Sequence, residues 1–184
     1  MKNEVKLVNF NNISYLREGS NKQKKCYKIL TKTNIFNILK DYMPILVGTI
    51  PLNIDIESSD LDIVCQVDDF EIFENTLFDN FSKYKYFRIE HKEKNITVCN
   101  FIVESMEIEI YASNEQSHKT NGYRHMIIEY KLLNLYGEKF RKSIIELKKE
   151  GIKTEPAFAK LLNLNGNPYE ELLKCKGYLL DKTY

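Results

Sequence analysis

The sequence predicts an α+β fold: a β-sheet flanked by helices, with a helical C-terminal layer. Three observations predict it. Apolar residues at helical spacing occupy residues 21–42, short β-branched runs fill 45–112, and helical spacing returns from residue 122 onward. At 184 residues the chain has the length of one domain with a sizeable core. It divides into N-terminal helices over 1–44, a sheet core carrying the candidate site over 45–112, and C-terminal helices over 113–184.

Taken in order, residues 1–19 are mixed and Asn-rich, and Gly19-Ser20 is a break at which Ser20 can cap the first helix. Tyr27, Leu30, Ile35, Ile38 and Leu39 fit two helical pieces joined near residues 31–34. Lys22, Lys24, Lys25 and Lys28 make a basic patch on the first piece, read either as a solvated face or as an attractor of phosphate. Pro44 stops the helix, residues 45–47 form a first strand, and residues 61–67 form a second. Asp68 or Asp69 caps a helix reaching Phe81, with Phe70, Phe73, Leu77, Phe78 and Phe81 as its buried stripe. Three further strands occupy 84–90, 95–103 and 106–111, with Glu104-Ser105 as the last turn. A polar loop over 113–120 leads to a helix over 122–135, which Gly137 interrupts before a second stretch ending near Gly151. Thr154 caps a helix over 155–164, Asn165-Gly166-Asn167-Pro168 is a loop, and a last helix covers 169–176.

Composition narrows the function. A net charge of +1 with 29% charged residues is no basis for general nucleic-acid binding, which needs a basic excess. No window of ~18 apolar residues offers a membrane span. The N-terminal residues lack a signal-like apolar run, and Cys26, Cys65, Cys99 and Cys175 are scattered with no zinc spacing, which predicts reduced thiols in the cytoplasm.

The chemistry concentrates in Leu46-Val47-Gly48-Thr49 and, after a spacer, Asp60-Leu61-Asp62-Ile63. Asp60 and Asp62 are two apart, so on a strand both leave the same face while Leu61 and Ile63 enter a core. Crowded carboxylates repel, and a hard divalent cation, Mg²⁺ or Mn²⁺, is the simplest relief. Gly48 permits close backbone approach, and the N–H groups of its turn with the Thr49 hydroxyl suit phosphate. Glu107 and Glu109 share one face of a later strand, and parity does not choose between them. His125 and Glu129, four apart on a helix, read as a hydrogen-bonded structural pair, and Arg124 or Lys119 as a cation for substrate phosphate.

The apolar-Gly-Thr turn followed by Asp-x-Asp resembles the nucleotidyltransferase superfamily named after DNA polymerase beta. The stretch from Gly48 to Ile63, together with Tyr123-Arg124-His125-Met126, is similar to a small bacterial nucleotidyltransferase-like family. The resemblance implies a nucleotidyltransferase-like mixed β-sheet flanked by helices, and transfer of a nucleoside monophosphate from a nucleoside triphosphate to a hydroxyl acceptor, which could be a small molecule, an RNA end or a protein. It implies Asp60, Asp62 and Glu109 as catalytic and metal-binding acids, selecting Glu109 over Glu107. It implies Gly48, Thr49, Ser59 and Arg124 as the nucleotide-binding set. The chain departs from the pattern in three ways: Thr49 stands for Ser, Glu109 for Asp, and no basic residue succeeds the turn. Those departures support the alternative, a catalytically inactive binding module of the same fold for a nucleotide or a protein partner. A different metal-dependent phosphotransfer or hydrolysis in the same cleft is a third reading.

Overall fold

Each element forms where local chemistry permits it to start, and the computed structural model describes residues 8–175. Ser20 opens helix α1 (Asn21–Lys32) with a capping box: its hydroxyl accepts the Gln23 N–H at 3.3 Å, and the Gln23 side chain accepts the Ser20 N–H at 2.9 Å. A left-handed Asn34 separates α1 from the short α2 (Ile35–Ile38), so the predicted two pieces are present. Strand β1 (Ile45–Val47) comes directly after Pro44, and β2 (Leu61–Gln66) after the spacer loop. Asp69 caps α3 (Phe70–Phe81) by accepting the Ile72 N–H at 3.1 Å. Strands β3 (Lys85–Glu93), β4 (Ile96–Val103) and β5 (Met106–Ser113) form an antiparallel meander. Thr120 caps α4 (Asn121–Lys149), and the non-helical Gly137 breaks α4 at the predicted position. Helices α5 (Thr154–Leu162) and α6 (Pro168–Lys174) complete the C-terminal layer, the latter with Asn167 as cap and Pro168 in its first turn.

The five strands order as β1-β2-β5-β4-β3. β2 and β5 run parallel at the centre, and the other pairs are antiparallel. This is the mixed sheet with flanking helices that the nucleotidyltransferase-like resemblance implies. One face packs Leu61, Ile63, Cys65, Ile108 and Ile110 against α1, α2 and α3, whose contributions include Ile29, Leu30 and Phe73. The opposite face sends Val47 and Val64 toward Met126, Leu132, Phe158 and Leu172 of the C-terminal helices. Asp62 has the parity of Val64, so it points to this second face, under α4.

Several expectations need correction. Phe78 is 59% exposed, turned out of the α3 stripe to meet Phe87 at the sheet rim with ring centroids 6.2 Å apart. Thr154 is the first helical residue of α5, after Lys153, because the backbone turns helical one position earlier than its hydroxyl suggested. The polar loop contains a single 3-10 turn, Ser117–Lys119. The expected end of the last helix, residue 176, lies outside the described residues, as does the N-terminal stretch up to residue 7. Among the described residues no helix is long and apolar enough to cross a membrane.

Candidate active site

β1 and β2 pair so that Val47 lies opposite Asp62, which brings the Gly48 turn onto the Asp62 carboxylate. Gly48 has φ +79°, and a Cβ there would sit 2.3 Å from Asp62 Oδ2, so only glycine fits. The next side chain, Thr49, donates its hydroxyl to Ser59 Oγ at 3.3 Å, and Ser59 Oγ also accepts the Ile56 N–H at 2.9 Å. These hydroxyls tie the first residue after the Gly turn to the last before Asp60. Asp60 itself precedes β2 by one residue, at the mouth of the strand, while Asp62 lies within it.

The parallel pairing of β2 and β5 puts Asp62 directly beside Glu109. Asn100 on β4 donates to Glu109 Oε2 at 3.2 Å and orients it. Glu107, on the same face two residues earlier, turns to Arg88 at 3.6 Å and does not line the cleft. The structure therefore separates two residues that strand parity could not.

These groups form one wall of a cavity of about 840 Å³, whose other wall comes from α4, α5 and the turn between them. That volume suits a nucleotide-sized ligand. Gly48, Thr49, Ser59, Asp60, Asp62 and Glu109 all line it. Arg124 does not: it is exposed in the first turn of α4 and donates to Asn121 Oδ1 at 3.1 Å. His118 and Lys119 are likewise exposed and outside the lining. Burial, with the charges of Asp60 and Glu109 added, pushes Asp62 up to about 7, and Lys148 offsets part of this. A cation between the carboxylates would reverse that penalty, and hard carboxylate and hydroxyl oxygens suit Mg²⁺ or Mn²⁺. Among the described residues, however, no three His, Cys, Asp or Glu side chains converge into a set that could by itself hold a metal ion.

Four residues that sequence reasoning did not assign to the spacer loop hold it in place. Gln23 Nε2 donates to the Ile50 carbonyl at 2.7 Å. Arg141 donates to the carbonyls of Leu52 and, at 3.3 Å, Asn53. Lys148 donates to the Ile54 carbonyl at 2.8 Å. Lys22 donates to the Ile56 carbonyl and, at 3.2 Å, to that of Glu57. The ammonium of Lys22 is thus spent on the loop rather than offered to phosphate. The His125–Glu129 pair is also corrected. His125 Nε2 meets the Tyr169 carbonyl at 2.8 Å and its Nδ1 faces Glu155 at 3.5 Å, because α5 and α6 pack against that side of α4. Burial pushes the Glu129 carboxyl up to about 8 and the Lys148 ammonium down to about 8.

A family model described as a domain of unknown function, DUF4269, matches residues 28–175, which take in the whole sheet and the cleft. The chain belongs to the DUF4269 family. No curated protein matches this DUF4269 chain. Solved structures do match. The Cid1 poly(U) polymerase with Mg 3′-dATP bound has a TM-score of 0.58 at 13% identity, over 91% of this chain and 52% of that one. A cytoplasmic RNA terminal U-transferase gives 0.55 at 14%, over 91% and 50%. The GLD-2/RNP-8 complex gives 0.51 at 14%, over 80% and 60%. At such identities the likeness establishes the fold, which is of nucleotidyltransferase type. The chain spans about half the length of the solved structures it matches.

Proposed function

We propose that this DUF4269 chain is a metal-dependent nucleotidyltransferase that moves a nucleoside monophosphate from a nucleoside triphosphate to a hydroxyl acceptor. The observation that carries the reading is the register of Asp62 against Glu109 beneath the Gly48 turn, in a cavity large enough for a nucleotide. The turn amides and the Ser59 hydroxyl would receive the triphosphate: Ser59 Oγ accepts twice within the protein and keeps its own proton to donate, while Thr49, whose proton goes to Ser59, would hold that hydroxyl in place. Asp60 and Asp62 would hold Mg²⁺ or Mn²⁺, with Glu109 beside them. Mg²⁺ is commonly held by one or two carboxylates plus substrate phosphates, so the triphosphate would complete the ligand set. Bound there, the metal would supply charge neutralisation on the phosphates and alignment of the acceptor hydroxyl. The acceptor oxygen bonds to the α-phosphorus, the bond from that phosphorus to its bridging oxygen breaks, and pyrophosphate leaves. Glu109, oriented by Asn100, takes the hydroxyl proton. Four buried, unpaired cysteines fit a reducing, cytoplasmic setting.

The lack of a closed three-acid set among the described residues favours one other reading, a binding module that retains the fold without catalysis. Thermal unfolding with each of the four nucleoside triphosphates, with and without Mg²⁺ or Mn²⁺, separates the two. A ligand at ~100 times its dissociation constant stabilises by ~2.7 kcal/mol. We expect a metal-dependent shift that an Asp60→Asn, Asp62→Asn double variant loses. An equal response in wild type and variant would refute the catalytic reading.

A further inference from the structure

The proposed transfer makes no use of Glu129. It is 3% exposed, lines the cavity from α4, and has no hydrogen-bond or ion-pair partner among the described residues. The groups around it are committed elsewhere: Lys148 to the Ile54 carbonyl at 2.8 Å, and His125 to Tyr169 and Glu155. A carboxyl taken out of water with no cation against it keeps its proton, and burial pushes Glu129 up to about 8. At neutral pH it is therefore an uncharged group with an O–H donor beside a carbonyl acceptor. Such a pair is complementary to a ligand edge that sets one acceptor beside one donor.

The surroundings say which edge. Gly122, Met126 and Glu129 stand at i, i+4 and i+7 on α4 and line the cleft as one stripe. At Gly122 the helix rests on the sheet, where a Cβ would lie 3.6 Å from Val47 and 3.8 Å from Val64. Glu129 is about 10 Å further along the helix, which leaves room for a sugar between the Gly48 turn and its carboxyl. The apolar Met126 and Ile152 line the same wall. An apolar wall holding a single donor–acceptor pair suits a flat ring with apolar faces and a polar edge, which is the chemistry of a nucleobase.

We infer that Glu129 binds the nucleobase edge as an un-ionised carboxyl, donating its proton to a ring acceptor and accepting the neighbouring N–H; this rests on the nucleotidyltransferase reading of the cleft.

The test is calorimetric titration, with Mg²⁺ present, of ATP, CTP and base-free inorganic tripolyphosphate. Adenine and cytosine each carry an amino donor beside a ring-nitrogen acceptor. Glu129→Leu should weaken ATP and CTP on the order of tenfold and leave tripolyphosphate unchanged. Glu129→Gln keeps a donor beside an acceptor and should bind both nucleotides as wild type does at pH ~7. On raising the pH to ~9, wild type should lose on the order of tenfold in ATP affinity relative to Glu129→Gln, because the ionised carboxylate turns an acceptor toward the ring nitrogen. Both proteins keep the other titrating groups of the cavity, Asp62 and Glu109 on the sheet, His125 and Lys148 on α4, and Lys153 and Glu155 at the start of α5, so the difference isolates Glu129. This comparison decides even if Glu129→Leu does not fold. Undiminished nucleotide binding by Glu129→Leu, an equal loss for tripolyphosphate, an equal loss in Glu129→Gln, or parallel pH profiles of wild type and Glu129→Gln overturns the inference. If the nucleotides bind with Mg²⁺ while these contrasts fail, only the base contact falls. If neither the nucleotides nor tripolyphosphate binds, the nucleotidyltransferase reading falls with it.

Discussion

At Gly48 a close approach, and at Glu129 burial, have consequences that can be measured. At Gly48 the φ of +79° and the 2.3 Å approach of a notional Cβ to Asp62 act together. Gly48→Ala should destabilise the fold by about 1–3 kcal/mol and abolish any triphosphate-dependent shift, both readable in one thermal unfolding series. At Glu129 the consequence is a pH dependence. Its carboxyl ionises near 4.5 when unfolded and at about 8 in the fold, so the unfolded chain releases its proton first. Burial of Glu129 therefore penalises stability increasingly as pH rises from about 4.5 to about 8, by up to ~1.4 kcal/mol per pH unit. Glu129→Gln should gain on wild type across that window in denaturant unfolding, and a constant difference between the two would refute the shift. Asp62 slopes the same way, and the comparison cancels it. Lys148, lowered to about 8, works in the opposite sense only above that pH.

The spacer loop is the element on which the site depends most. Leu52 and Ile54 are buried within it, and its carbonyls are held from α1 by Lys22 and Gln23 and from α4 by Arg141 and Lys148. Lys148→Met leaves the Ile54 carbonyl without its donor. We expect a loss of about 1–3 kcal/mol and faster amide exchange across the loop, measured by hydrogen–deuterium exchange. Unchanged exchange there would show that the loop holds its shape without Lys148. This clamp was not legible in the sequence. A lysine reads as a solvated charge unless its acceptor is known, and the acceptors here are main-chain carbonyls far along the chain, with no side-chain signature. The same limit hid the true partners of His125, since helical spacing reports neighbours on one helix and not the carbonyl of Tyr169 on another. The strands and the Gly137 break were legible because alternation and a helix-breaking residue are local signals. Phe78 misled because its spacing fits the α3 stripe, although the sheet ends before covering it.

At the scale of the whole molecule, the order of helices, strands and helices was enough to predict an α+β fold with a helical C-terminal layer, and the mixed sheet came from the resemblance of the Gly-Thr and Asp-x-Asp signature. Which strand neighbours which was not in that order. Adjacent strands in sequence favour hairpins, and only the fold places β5 between β4 and β2. The cleft is equally a product of assembly: its floor is sheet and its roof is α4 with α5. The central parallel pair also sets a timetable. A parallel pair cannot close through a short turn, and here α3, β3 and β4 intervene between its two strands. A chain leaving the ribosome exposes both aspartates early, yet they remain an ordinary pair of solvated acids until β5 arrives and α4 folds over it. Any capacity of the cleft to engage a ligand is therefore gained only once the chain has been made as far as α5, and the growing chain passes through the nucleotide-rich cell without it until then.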